Sequence, residues 1–130
     1  MLQSIIYWIS TILLSLLYIT SAVLYIIKPE FAKKGHLDLG YSADHLIPLM
    51  IVVKILGPIA IISRVSIGLS DLAYAGFFYH LLLSAFAHFG VRNAKGAGPA
   101  IIGMVLLIAS FATQNAARLA QSPYGPSLSF

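Results

Sequence analysis

Apolar residues run almost unbroken through four stretches of this chain, Ile5–Ile27, His45–Ser63, Leu72–Phe89 and Pro99–Ala117, and polar residues gather between them. Crossing about 30 Å of hydrocarbon takes roughly 20 residues of helix, and each stretch approaches or exceeds that length. Helices satisfy their own backbone groups, so they are the expected spanning form; the period-two alternation of an outer-membrane barrel is absent. The pattern predicts an all-α protein, a transmembrane four-helix bundle forming one domain over residues 1–120. The remaining residues, 121–130, are rich in Pro, Gly and Ser and are expected to form a flexible C-terminal tail.

The connections differ in character. Pro29–Asp44 is the longest, and it mixes Phe31, Leu37, Leu39 and Tyr41 with charges. It reads either as a long first loop lying at the membrane interface, a lid across the bundle mouth, or as an ordinary solvated loop. Arg64–Ser70 reads as a short turn, and Val91–Gly98 as a basic one.

Within the helices, polar and small residues fall on stripes at three- and four-residue steps. Thr11, Ser15, Tyr18, Ala22 and Tyr25 share one face of the first helix. Gly76, His80, Ser84 and Ala87 share a face of the third, and Gly103, Ser110, Thr113 and Ala117 a face of the fourth. Small residues let helices approach and hydroxyls bond across them, so these stripes are expected to face one another.

Composition agrees with a bilayer setting. The chain is 59% hydrophobic and 9% charged, with mean hydropathy +0.91, whereas a soluble domain carries about 25% charged residues. The first stretch lacks a basic leader and a convincing cleavage site, so it is expected to remain as a helix. There is no cysteine, which excludes disulfides, thiolate catalysis and cysteine-ligated metals. The net charge of +4 comes mostly from residues at helix ends; it suits anionic headgroups, and no basic stripe for nucleic acid exists. With four alternating spans, Lys28, Lys33, Lys34, Arg92 and Lys95 lie on one side, and Arg64 and Arg118 on the other. The positive-inside bias then puts the first and third loops in the cytoplasm of a multi-pass cell-membrane protein, with both termini on the non-cytoplasmic side.

One residue breaks the apolar pattern. Lys54 lies in the middle of the second stretch with no carboxylate in that run. A lysine at membrane depth is expensive and usually faces a protein interior with a function; the alternative is snorkelling towards the nearer headgroups. The second and third helices form a hairpin turning near Ile67, and Lys54 and His80 lie equally far from that turn, so their side chains should share a depth. Tyr18, about nine residues before the end of its helix, should join the same layer. The same reasoning brings His88 near His45, closer to the membrane face. His80 and His88 are about 12 Å apart along one helix and cannot chelate one ion. His45 with His88 is the only candidate pair for axial haem ligation, but both sit near the interface, so a structural or ligand-contacting role is expected of the histidines instead. No H-E-x-x-H, phosphate-binding glycine loop or pair of intramembrane carboxylates is present, so no metal site is expected and no cofactor is specified.

The runs Leu39-Gly40-Tyr41, Val53-Lys54-Ile55-Leu56-Gly57, Leu72-Ala73-Tyr74-Ala75-Gly76-Phe77-Phe78 and Ala85-Phe86-Ala87-His88 resemble the DoxX-like family of small four-helix membrane proteins. The resemblance covers roughly Ile19 to Arg118, and Lys54, Tyr74, Gly76 and His88 match its motif positions. Where that family shows Ser-Gly before the lysine closing the first helix, this chain has Ser21-Ala22 before Lys28. The resemblance implies a four-helix bundle, and a setting among membrane quinone-linked redox complexes or membrane-protein assembly chaperones.

Together these readings lead to an integral membrane accessory protein with a polar intramembrane pocket for a lipophilic, quinone-like ligand or a redox partner. Lys54, Tyr74, His80 and His88 are its candidate binding residues. Two other classes stay open. A stand-alone membrane enzyme would use Lys54 as base and His80 or Tyr18 as acid on a hydrophobic substrate. An assembly chaperone would offer helix faces to client proteins. The partners expected are the lipid bilayer, a lipophilic small molecule, and a membrane-protein partner or a second copy of this chain; nucleic acid is not among them.

Overall fold

A computed structural model describes residues 1–41 and 45–126. Residues 42–44 of the first connection and 127–130 of the tail lie outside the described residues. The chain is all-helical there: α1 (Leu2–Ile27), α2 (Pro29–Asp38), α3 (Leu46–Ser63), α4 (Ile67–Gly90) and α5 (Gly98–Thr113), with single 3-10 turns at Ala94–Ala97 and Gln114–Ala117. Four helical segments, Leu2–Ile27, Leu46–Ser63, Ile67–Gly90 and Ala94–Ala117, are long and apolar enough to cross a membrane. The large side chains outside are apolar too: Leu16, Leu56, Phe86 and Val105 are all more than half exposed. That is the arrangement of a multi-pass membrane protein, in which lipid replaces water around the bundle.

The four long helices form a ring in the order α1, α3, α4, α5, each packed on the next and α5 closing on α1. α1 and α4 stand diagonally opposite and make no close backbone approach among the described residues. The predicted stripe on α1 is buried as expected, from Thr11 through Ala22, and so are Gly103, Ser110 and Thr113 on α5. On α4 the pattern is different. The buried stripe is Ser70, Tyr74, Phe77 and Leu81, and Gly76 is exposed with open space around its α-carbon. Small size marked Gly76 as a contact residue, but Phe77 takes that place, because its ring fills the gap left by Gly57. A β-carbon on Gly57 would lie 2.8 Å from Phe77 Cζ.

Two boundaries also shift. The turn between α3 and α4 is shorter than expected. Arg64 ends α3 in the left-handed conformation, φ 57°, and the Ser66 side chain caps α4 by accepting from the Leu69 N–H at 3.3 Å. An N-cap satisfies one of the four free amides of a helix start, so Ser66 moves that start well ahead of Leu72. Arg64 is held there by donation to the Ala117 carbonyl and by the faces of Tyr7 and Trp8, 5.6 and 5.5 Å away. The long first connection is itself largely helical. Pro29 cannot continue α1, yet it suits the first position of a new helix, so the chain breaks at Lys28 and re-forms as α2.

Of the tail, Ser122 to Gly125 is pinned to the bundle. Asn115 Nδ2 donates to the carbonyls of Ser122 and Gly125 at 3.0 and 2.9 Å, and its Oδ1 accepts from the Ser122 N–H at 2.8 Å. The Ser122 hydroxyl reaches both carboxylate oxygens of Asp71, at 2.9 and 2.7 Å. Replacing Asn115→Ala is expected to cost about 1–3 kcal/mol by leaving buried backbone groups unpaired. Limited proteolysis checks it, since cleavage beyond Gln121 should become many times faster.

Candidate functional site

Where α2 crosses the end of the ring, the helices line an open cavity of about 630 Å³. α1, α2, α3 and α4 all contribute to its wall, and Gly96, Pro99 and Ala100 close it from the α5 side. Its lining is mainly apolar. The polar groups are Tyr18, Tyr25, His36, Lys54, His80 and His88, with Ser21, Ser84 and Tyr41 nearer the edge.

The layer expected from counting residues is present. The Tyr18 hydroxyl and His80 Nδ1 are 2.7 Å apart, a hydrogen bond that crosses the ring diagonally from α1 to α4. Lys54 is 5% exposed, so its amine is sheltered among helices. Its Nζ stands 5.3 Å from the Tyr18 ring centre and 5.0 Å from that of Tyr25. A lysine at the centre of a spanning helix costs about 2.5–3.5 kcal/mol on insertion scales. Cation–π contacts return about 0.5–2 kcal/mol each, so the two rings offset much of that cost, and among the described residues the amine has no hydrogen-bonding acceptor. The backbone nearby is also perturbed: Pro58 is buried inside α3 and has no N–H for the Lys54 carbonyl, so that carbonyl loses its helical donor.

Ring contacts hold this layer together. Phe77 packs on Tyr18 with centroids 4.5 Å apart, while its far edge lies over Gly57. The Lys54-x-x-Gly57 spacing thus has a physical meaning. Three residues put the amine and the glycine on one side of α3; the glycine admits the aromatic ring, and that ring buttresses the tyrosine under the amine.

α2 contributes a residue that sequence reasoning missed. His36 Nε2 and the Tyr25 hydroxyl are 2.8 Å apart, and Nδ1 of the same ring is buried with no partner. Of the apolar residues named for this segment, Phe31, Leu37 and Tyr41 are about half exposed or more and Leu39 is half-buried and lines the cavity; Ala32 is buried against the bundle. Helical spacing within 29–38 would have found His36, since it follows Ala32 by one turn.

Burial, and secondarily the charge of Lys54, holds the His36 imidazole below its usual 6.5. Docked α2 therefore binds a proton less readily than undocked α2 does. Docking is fullest above about 6.5 and weakens as pH falls through the depressed value of the docked ring. Amide exchange within Pro29–Asp38 is expected to accelerate on acidification in nanodiscs, and His36→Gln, which keeps a partner for Tyr25, should remove that dependence.

The other candidates fall differently. His88 lines the cavity edge, with Nδ1 donating to the Ser84 carbonyl at 2.9 Å and the ring packed on Gly96. His45 is exposed at the start of α3 and does not line the cavity. Tyr74 lies outside the cavity, in the core nearer the opposite end of the bundle, where its hydroxyl is 2.7 Å from Ser110 Oγ. Among the described residues no cluster of three or more His, Cys, Asp or Glu forms a metal-binding group.

The arrangement offers an apolar chamber with hydrogen-bonding groups converging at its inner end, which can orient the polar head of a lipophilic molecule. Comparison with family models, curated proteins and solved structures finds no match to this chain, so the resemblance to the DoxX-like family rests on its motif residues alone.

Proposed function

We propose that this chain is an integral membrane accessory protein whose cavity holds a lipophilic, quinone-like molecule, an apolar body ending in oxygen atoms that accept hydrogen bonds. The observation that carries this reading is the sheltered Lys54 amine beside the Tyr18–His80 pair, at one end of a cavity of about 630 Å³. Ligand pockets run from about 300 to 1,000 Å³, mostly apolar with a few convergent polar groups. The motif resemblance supports a quinone-linked setting, in which a membrane redox complex or a second copy of this chain is the partner. The basic loops favour a cell-membrane orientation with α2 and the cavity mouth on the cytoplasmic side and both termini outside.

Purification in mild detergent tests the reading. Solvent extraction of the purified protein is expected to release bound quinone, or a redox complex to co-isolate. Protein that is folded, ligand-free and partner-free, and that binds no added quinone, would overturn it.

The diagonal Tyr18–His80 bond favours one second reading, a membrane enzyme doing acid–base chemistry such as isomerisation or cyclisation. Lys54 would act as base and His80 or Tyr18 as acid. Turnover of a hydrophobic substrate that survives Lys54→Met unchanged rules that role out.

A further inference from the structure

The cavity holds a cationic centre for which the described residues supply no counter-ion. Its four acidic residues are Glu30, Asp38, Asp44 and Asp71. Glu30 and Asp38 are exposed on α2, Asp71 is engaged by Ser122 at the opposite end, and Asp44 lies outside the described residues. Among the described residues Lys54 Nζ has no carboxylate beside it; the faces of Tyr18 and Tyr25 lie 5.3 and 5.0 Å away. His36 adds a buried, unpartnered Nδ1 to the same cavity. At the same end of the bundle, Lys28, Lys34, Arg92 and Lys95 are exposed, a setting that concentrates anionic amphiphiles at the mouth.

Size narrows the occupant. A water-sized group takes about 30 Å³ of liquid, so about 630 Å³ holds roughly twenty such groups, one acyl chain with its head. We infer that the cavity takes a single-chain lipophilic acid, its carboxylate seated against Lys54 Nζ and its chain running along Leu17, Leu81 and Ala100. The inference rests on the ligand-cavity reading above and replaces a neutral head with an anionic one. An ionised acid meets the ammonium directly. A protonated acid meeting the free amine transfers its proton to Nζ, and both routes end in the same carboxylate–ammonium pair. Charge-assisted hydrogen bonds of that kind are about twice as strong as neutral ones, and they gain further in a low-dielectric site.

The test is competitive binding to the full chain in phosphatidylcholine nanodiscs, in mildly alkaline buffer, with radiolabelled palmitate as probe. Unlabelled palmitate, palmityl alcohol and a short-tailed ubiquinone are the competitors. Palmitate is expected to bind roughly tenfold or more tighter than the alcohol, with that preference kept in Lys54→Arg and lost in Lys54→Met. Equal affinity for acid and alcohol, or binding of ubiquinone alone, overturns the anionic head while the ligand cavity stands. If none of the three binds folded protein, the cavity reading fails with it.

Discussion

Lys54→Met is expected to lower ligand affinity by roughly tenfold or more while leaving the bundle as stable as before, or more so. The two effects separate because they have different causes. The amine is 5% exposed and has no ion-pair partner among the described residues. Removing an uncompensated buried charge in favour of an apolar side chain of similar length is commonly neutral or stabilising. A bound polar head, by contrast, loses its strongest donor. Thermal melting in detergent, read beside palmitate and ubiquinone binding, checks both halves. A lysine kept only for packing would give the reverse, a lower midpoint and unchanged binding.

Ser110 should behave in the opposite way, through stability alone. It is fully buried, and its hydroxyl meets Thr11 Oγ1 at 2.6 Å and the Tyr74 hydroxyl at 2.7 Å, tying α1, α4 and α5 together. Interhelical hydrogen bonds in membrane proteins average about 0.6 kcal/mol and reach about 1.7, so Ser110→Ala should cost on the order of 1–3 kcal/mol. Ser110→Leu adds overpacking of about 1–3 kcal/mol, and it should give a much lower melting midpoint or little folded protein. Ligand affinity per folded molecule should not change in Ser110→Ala, because neither Ser110 nor its partners line the cavity.

Much of this was legible in the chain because a bilayer leaves few choices. Span count and helix class followed from apolar run length. The Tyr18, Lys54 and His80 layer followed from counting residues outward from a hairpin, since helical rise is constant. The misses have local causes. Placing the start of α4 required recognising Ser66 as a cap, a short-range polar contact that apolar periodicity does not register. Small size points to Gly76 rather than Phe77 as the contact residue, yet the small partner sits across the interface at Gly57. α2 was hidden because its mean polarity resembles that of a loop, and the first-position proline that starts it reads equally well as a turn. The contacts of Ser122 and Gly125 are not legible locally, because their partners Asn115 and Asp71 lie elsewhere in the sequence.

Among the described residues neither diagonal of the four-helix ring has close backbone contact, and across the α1–α4 diagonal Phe77 packs on Tyr18 while Tyr18 is hydrogen-bonded to His80. That bond works like the crossbar of a four-sided frame, whose corners can hinge while the brace fixes their angles. A guest that took the His80 nitrogen for itself would unbrace the frame, and the square could shear towards a rhombus. Occupancy would then be written on the outer surface as a changed separation of α1 and α4, where a neighbouring protein in the lipid could read it.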